Sequence, residues 1–187
     1  MIRNVGLYTA LFLLTLGSWW LLDQQKEQEV VAVQLEEHAA DYFSEGYKKV
    51  EMDTMGNPVN ILTAKRLTHF KDDGTTELTQ CEITFFNPDG SSWTIQADRG
   101  VLLADGNDLS LNGVVHITRP QMKDVRPIRV NTSDLKVKLD RSYAETDQWA
   151  EIITPPDRTE GIGLQMIYSK PITLELLTTV KGRYEMQ

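Results

Sequence analysis

From Tyr42 to the C-terminus, short runs of alternating apolar and polar residues are interrupted by turn-forming residues about every 8–12 positions. Trp93, Ile95 and Ala97 place apolar groups on alternate positions, which puts them on one face of a β-strand. The same alternation recurs at Leu109 and Leu111, at Leu135, Val137 and Leu139, and at Leu164, Met166 and Tyr168. The pattern predicts an all-β fold of antiparallel strands, each with one apolar face.

Residues that favour turns separate these runs. Asn112 and Gly113 match the signature of a two-residue hairpin between apolar neighbours. Gly161 and Gly163 are interpreted as the entry to a strand rather than as a phosphate-binding loop. The other predicted turns are Gly56, Asn57 and Pro58; Asp72, Asp73 and Gly74; Asn87, Pro88, Asp89 and Gly90; Asp105, Gly106 and Asn107; and Pro155, Pro156 and Asp157.

A loose internal repeat pairs an apolar residue with a small residue two positions later. It occurs at Leu62 and Ala64, Ile95 and Ala97, Val130 and Thr132, and Ile167 and Ser169. The small residues are 33, 35 and 37 positions apart. Such a period indicates stacked hairpin units and therefore an elongated fold.

The N-terminus differs in character, because residues 5–22 contain no charged side chain. A helix of this length spans about 27 Å, close to the hydrocarbon thickness of a bilayer. A cleaved signal peptide is the alternative, but Trp19 and Trp20 occupy the place of the small residues at a cleavage site. We therefore expect a retained transmembrane helix, with residues 1–4 and Arg3 on the cytoplasmic side.

Gly6, Ala10 and Gly17 lie on one face of this predicted helix, where a partner helix could approach closely. Glycine is also frequent in membrane helices generally, so both interpretations stay open. Residues 23–40 are rich in glutamine and glutamate and are interpreted as a linker. Residues 41–187 then form the extracytoplasmic domain.

Charge and motif content exclude several function classes. The chain has 27 acidic and 19 basic side chains, a net charge of -8, which disfavours binding to nucleic acid. His38, His69 and His116 lack the spacing of metal ligands, and the single Cys81 is expected to be an inert, small apolar residue. No nucleophile motif or nucleotide-binding glycine motif occurs. We expect no enzyme activity, no metal and no cofactor.

Segments 47–56, 78–80, 93–98 and 184–187, together with Ala64, occur in an order and at lengths that match a known family. Over nearly the whole chain the sequence resembles the LptC family of lipopolysaccharide export system proteins. The resemblance implies a periplasmic, OstA-like β-jellyroll of two sheets, tethered to the inner membrane by one transmembrane helix. The inner faces of the sheets would form a groove for the acyl chains of lipopolysaccharide.

The resemblance also implies partners. The family is not enzymatic; it passes lipopolysaccharide from an inner-membrane ABC transporter to a periplasmic bridge protein. The N-terminal edge of the jellyroll would abut a permease subunit, and its C-terminal edge would receive the bridge protein by strand addition. The membrane helix would lodge between permease helices, a role that the face of Gly6, Ala10 and Gly17 fits. The implied lipid contacts are Tyr47, Leu78, Ile172 or alternatively Leu174, and Tyr184.

A physical argument favours apolar binding independently, because an acidic domain repels a polyanionic lipid head group. Each buried methylene contributes about 0.8 kcal/mol, so partial burial of several acyl chains is sufficient. The alternative function is an assembly scaffold that joins two proteins through its sheet edges without binding lipid. An anchored hydrolase is disfavoured because the sequence offers no pairing of nucleophile and base.

Overall fold

The computed structural model describes residues 13–16, 18–20, 38–123, 125–169 and 171–184. The chain divides into two units, Met1–His38 and Ala39–Gln187. Residues 13–16 and 18–20 are helical. The second unit contains nine strands: β1 Ala40–Met52, β2 Pro58–Phe70, β3 Thr76–Phe86, β4 Ser92–Leu102, β5 Asp108–Arg119, β6 Ile128–Lys138, β7 Tyr143–Thr154, β8 Asp157–Ile167 and β9 Thr173–Arg183.

Most of the predicted transmembrane helix and linker lies outside the described residues. This applies to Gly6, Ala10 and Gly17, so the predicted packing face is untested. In the described part of the chain, no helix has the length and apolar character that crossing a membrane requires.

The nine strands form one antiparallel sheet in which every strand pairs with its neighbours in the sequence. The predicted all-β antiparallel class is confirmed. The expectation of two sheets is wrong, because each hairpin continues the hydrogen bonding of the previous one. The sheet is not closed, since β1 pairs with β2 alone and β9 with β8 alone. Two long edges are therefore left.

Most of the predicted turns connect strands, and four successive hairpins use the same device. In each hairpin an aspartate carboxylate accepts a hydrogen bond from the backbone N–H two residues later, as in an Asx turn. The N···O distances are 2.8 Å at Asp53, 2.8 Å at Asp73, 3.0 Å at Asp89 and 2.9 Å at Asp105. These side chains fix the loop geometry and with it the register of the strands.

Two turn-like motifs lie inside strands instead. Asn112 and Gly113 are in the middle of β5, where its pairing with β6 shifts in register, so the predicted hairpin is wrong. Gly161 and Gly163 likewise lie in the interior of β8 and not at its entry. A bulge and a tight hairpin both need a positive φ, which is +82° at Gly113, and the local sequence therefore does not distinguish them.

The alternation of buried residues shifts by one position near the middle of most strands. Leu78 and Cys81 in β3 are both buried although they are three positions apart, as are Ala97 and Gly100 in β4. Residues with positive φ mark this row across the sheet: Gly46, Gln80, Gly113, Asp134, Gly163 and Thr179. We call the row the bulge line. A bulge adds one extra residue to a strand, so the alternation of inward and outward side chains restarts one position later. Apolar side chains therefore stay on the inner face on both sides of the line.

Strand pairing explains most of the sequence repeat. Ala64, Ala97 and Thr132 belong to a row of small or short buried side chains that are paired across five strands: Ala64, Cys81, Ala97, Val115 and Thr132. The strands of this antiparallel sheet follow one another in sequence order, so the chain crosses the same row in the same direction at every second strand. This explains why Ala64, Ala97 and Thr132 are separated by 33 and 35 positions. The fourth pair does not belong to the row, because Ile167 lies at the end of β8 and is 37% exposed.

The sheet curls so that its inner face packs against itself. The rings of Phe85, in β3, and Tyr168, just after β8, stack with centroids 4.1 Å apart. In a flat sheet, five steps between strands would separate them by about 24 Å. The core residues that this curling encloses come from β2 through β8, among them Trp93, Ile117, Leu135 and Leu164, each with an exposed fraction of 0%.

Cys81 lies in this core, and its thiol donates to the Ala97 carbonyl oxygen at 3.7 Å. Burial raises the pKa of the thiol to about 11. Since the thiolate is the reactive form, this supports the prediction that Cys81 is inert.

Candidate functional site

The burial of the inner face changes from the centre of the sheet to its edges. Val115, Leu135 and Ala150, in central strands, have exposed fractions of 0%. In contrast, every residue of β1 and β9 is described and none of them is buried. The core face therefore becomes accessible to solvent at the two edge strands.

Strand register identifies the edge residues that continue the core face. Tyr47 of β1 pairs with the buried Ala64, and Leu176 of β9 pairs with the buried Leu164. Directly paired residues share one face of a sheet, so Tyr47 and Leu176 face inward. Tyr47, Ile172, Leu174 and Leu176 are all half-buried and pack against the core. We call these four residues the edge face.

The predicted contact residues fall in different environments. Tyr47 and Ile172 belong to the edge face. Leu78 is only 1% exposed, because it lies on the inner face of β3 within the hydrophobic core. Tyr184 follows β9 and is 68% exposed, and its hydroxyl lies 3.5 Å from the Thr159 hydroxyl. A ligand can reach Leu78 only if neighbouring side chains move.

Three of the four predicted residues meet in one apolar cluster, because Tyr47 and Ile172 pack against the buried core that contains Leu78, whereas Tyr184 is not part of it. Tyr47 and Leu78 lie near the N-terminal edge of the sheet, while Ile172 and Tyr184 flank the two ends of β9. Sequence reasoning missed Leu176 and gave Leu174 only as an alternative to Ile172. The alternation of Ile172, Leu174 and Leu176 is the signal that could have identified all three.

The edges can also bind through their backbones. An unpaired strand presents a row of N–H and C=O groups to which another strand can add. Glu175 of β9 lies between the apolar Leu174 and Leu176 and pairs with Gln165 on the outer face. The geometry thus offers apolar contact on the inner face and strand pairing along the edge.

The sequence model of the LptC family, described as lipopolysaccharide-assembly, LptC-related, matches residues 7–185. The chain belongs to the LptC-related family. Membership of this family supports a role in lipopolysaccharide transport.

A solved structure shares the fold of this LptC-related chain. It is LptH from Pseudomonas aeruginosa, described as the LptA-homologous periplasmic component of a lipopolysaccharide transport device. The TM-score is 0.54 at 8% sequence identity, and the match covers 68% of this chain and 95% of LptH. No curated protein matches the chain.

Proposed function

We propose that this chain is a membrane-anchored periplasmic component of lipopolysaccharide transport. It accepts the lipid from an inner-membrane ABC transporter and passes it to a periplasmic bridge protein. The acyl chains contact the edge face of Tyr47, Ile172, Leu174 and Leu176. The loss of burial toward β1 and β9 is the observation that carries this proposal, since it exposes apolar surface continuous with the core.

The tight packing of the inner face at the centre of the sheet limits how the lipid is held. Because Leu78 and its neighbours are packed, acyl chains lie along the edge face and reach Leu78 only when neighbouring side chains move. Partial burial gives moderate affinity, which suits a carrier that must release its lipid. The head group stays in water, as the net charge of -8 favours.

The two open edges support the assignment of partners. The permease lies against the N-terminal edge at β1, and the bridge protein adds a strand to β9. The predicted membrane helix anchors the chain in the inner membrane and packs on permease helices through Gly6, Ala10 and Gly17. An assembly scaffold without lipid binding is the second candidate, because unpaired edges alone suffice for it.

Photo-crosslinking at neighbouring residues separates the two functions. A photoreactive residue at Leu176, on the inner face, is compared with one at Leu177, which is 44% exposed and packs over Gly163 on the opposite face. Tyr47 and the exposed Lys48 form a second pair on β1. We expect lipopolysaccharide adducts at Leu176 and Tyr47 during transport, with several-fold fewer at Leu177 and Lys48.

The two residues of each pair are adjacent on one strand and therefore equally close to any protein partner at that edge. A difference in adduct yield within a pair thus reports only which face of the sheet the lipid contacts. Equal adduct yields at inner and outer positions would contradict the proposal. Partner adducts without any lipid adduct would support the scaffold.

A further inference from the structure

The free edge of β9 carries charges of opposite sign on its outer side. Glu175 lies on the outer face, before the bulge line. Lys181, after the bulge line, pairs with Glu160, which in turn pairs with Glu151. Glu151 follows the buried Ala150, so this row faces outward, because successive residues of a strand alternate between faces. Neither Glu175 nor Lys181 has an ion-pair partner among the described residues.

The inner side of β9 is apolar before and after the bulge line. Leu174 and Leu176 belong to the edge face. Val180 faces inward because the next residue, Lys181, faces outward. Val180 is 53% exposed, although it is a large apolar residue. The edge therefore presents apolar surface that a further strand could cover.

The two edge strands differ in how they are protected against further pairing. Unpaired N–H and C=O groups invite another strand, and natural proteins oppose this with proline, bulges or inward-pointing charges. In β1, Lys49 pairs with the buried Leu62, so its charge lies on the inner face, and Glu51 follows two residues later on the same face. β9 has a bulge at Thr179 but no proline and no inward charge. It therefore accepts an apolar strand more readily than β1 does.

The sequence of β9 is complementary to itself about Thr178. When two β9 strands run antiparallel with Thr178 opposite its own copy, residues equally far before and after Thr178 lie opposite each other. Glu175 then lies opposite Lys181 on both sides of the two-fold axis, and Leu176 lies opposite Val180. Directly opposite residues share a face, so acid meets base outward and apolar meets apolar inward. Both strands contain the same bulge, so the register is the same on the two sides of the axis.

We propose that two copies of this chain form a dimer by antiparallel pairing of their β9 strands. Glu175 of each copy lies opposite the partner's Lys181, and Thr178 lies on the two-fold axis. The interface is isologous, so both copies use the same surface. It joins two nine-stranded sheets into one and continues their inner faces across the edge.

The dimer covers the edge that the proposed function assigns to the bridge protein. The two arrangements exclude each other, so a dimer must open before a bridge strand can add to β9. The self-pairing itself follows from the register and charges of β9 and does not rest on lipid transport.

Thiol crosslinking of the full-length chain in detergent tests the register. T178C is compared with T173C, because both positions are exposed threonines of β9. In the dimer the two copies of residue 178 are adjacent, whereas those of residue 173 lie about 33 Å apart along the strands. We expect a short bis-maleimide to crosslink T178C in a concentration-dependent manner and T173C only at the level of the wild-type chain, whose Cys81 is buried. Equal yields at the two positions would overturn the proposal.

Charge reversal in the T178C background identifies the pair. E175K and K181E each make both occurrences of the pair repulsive and should weaken dimerisation about 10-fold. E175K/K181E exchanges the two charges and should restore the crosslink, and unfolding midpoints confirm that the variants are folded. E175K/R183E is the control, because Arg183 lies opposite Thr173 in this register.

Failure of E175K/K181E to restore dimerisation, or restoration by E175K/R183E, would overturn the proposed pairing. Absence of lipid adducts at Leu176 would contradict the edge face and leave this result unchanged.

Discussion

Replacing Trp93 by alanine is expected to lower the free energy of unfolding by about 3–5 kcal/mol. Trp93 has an exposed fraction of 0% and lies among the apolar side chains of the inner face. Its removal leaves a cavity that a curled sheet cannot close, because the strands on both sides are fixed by their hydrogen bonds. Urea denaturation measures the change, with unfolding monitored by far-UV circular dichroism because this signal reports the β-sheet and does not require Trp93.

The phenylalanine variant is the informative control. The indole Nε1–H of Trp93 is buried without a hydrogen-bond acceptor, which costs about 1–3 kcal/mol. W93F removes this unsatisfied donor together with some of the ring contacts, so the two effects partly offset each other. We expect a loss below about 1.5 kcal/mol. A loss in W93F as large as in W93A would contradict the account of the unsatisfied donor.

Replacing Gly163 by alanine should destabilise the chain by about 2–3 kcal/mol. Its φ is +78°, and an added Cβ would lie 2.9 Å from Leu177 Cδ1 and 3.1 Å from Leu177 Cβ. The substitution therefore adds a clash with β9 to the cost of a left-handed backbone. Unfolding midpoints in urea measure the change.

Gly113 supplies the matched control, because its φ is +82° and an added Cβ would have no atom within 4 Å. G113A should thus lose only the backbone contribution, about 1–2 kcal/mol. The difference between the variants measures how closely β9 packs on the bulge line. Equal losses would mean that Leu177 moves away freely.

Local patterns predicted most of the fold. The alternation of Trp93, Ile95 and Ala97 places these side chains in the core, as expected. Asp73, Asp89 and Asp105 were recognisable as turn residues because their carboxylates need only a backbone N–H two residues away. Features that depend on neighbours in the sequence were therefore accessible without a structure.

The errors have a common physical origin. Gly113 adopts a positive φ in a bulge, and the identical conformation would serve a hairpin. Only the pairing of β5 with β6 on both sides of Gly113 decides between them, and the paired residues there are 24 and 19 positions apart in the sequence. The bulge line was likewise not predicted, although Ala64, Ala97 and Thr132 marked the row of small buried side chains beside it.

The candidate site was predicted only in part. Tyr47 and Leu78 came from the family resemblance, which does not tell which strands are edges. Exposure depends on strand order: Tyr47 is half-buried on the edge strand β1, whereas Leu78 is covered in β3.

The affinity of the full-length chain for lipopolysaccharide, compared between L176D and L177D, tests the central claim most directly. The two variants place the same charge at adjacent positions on opposite faces of β9, and unfolding midpoints confirm that both are folded. If acyl chains lie on the edge face, L176D should weaken binding about 10-fold, equivalent to losing roughly two buried methylenes, while L177D should leave it nearly unchanged. Equal losses in both variants, or none in either, would contradict the account.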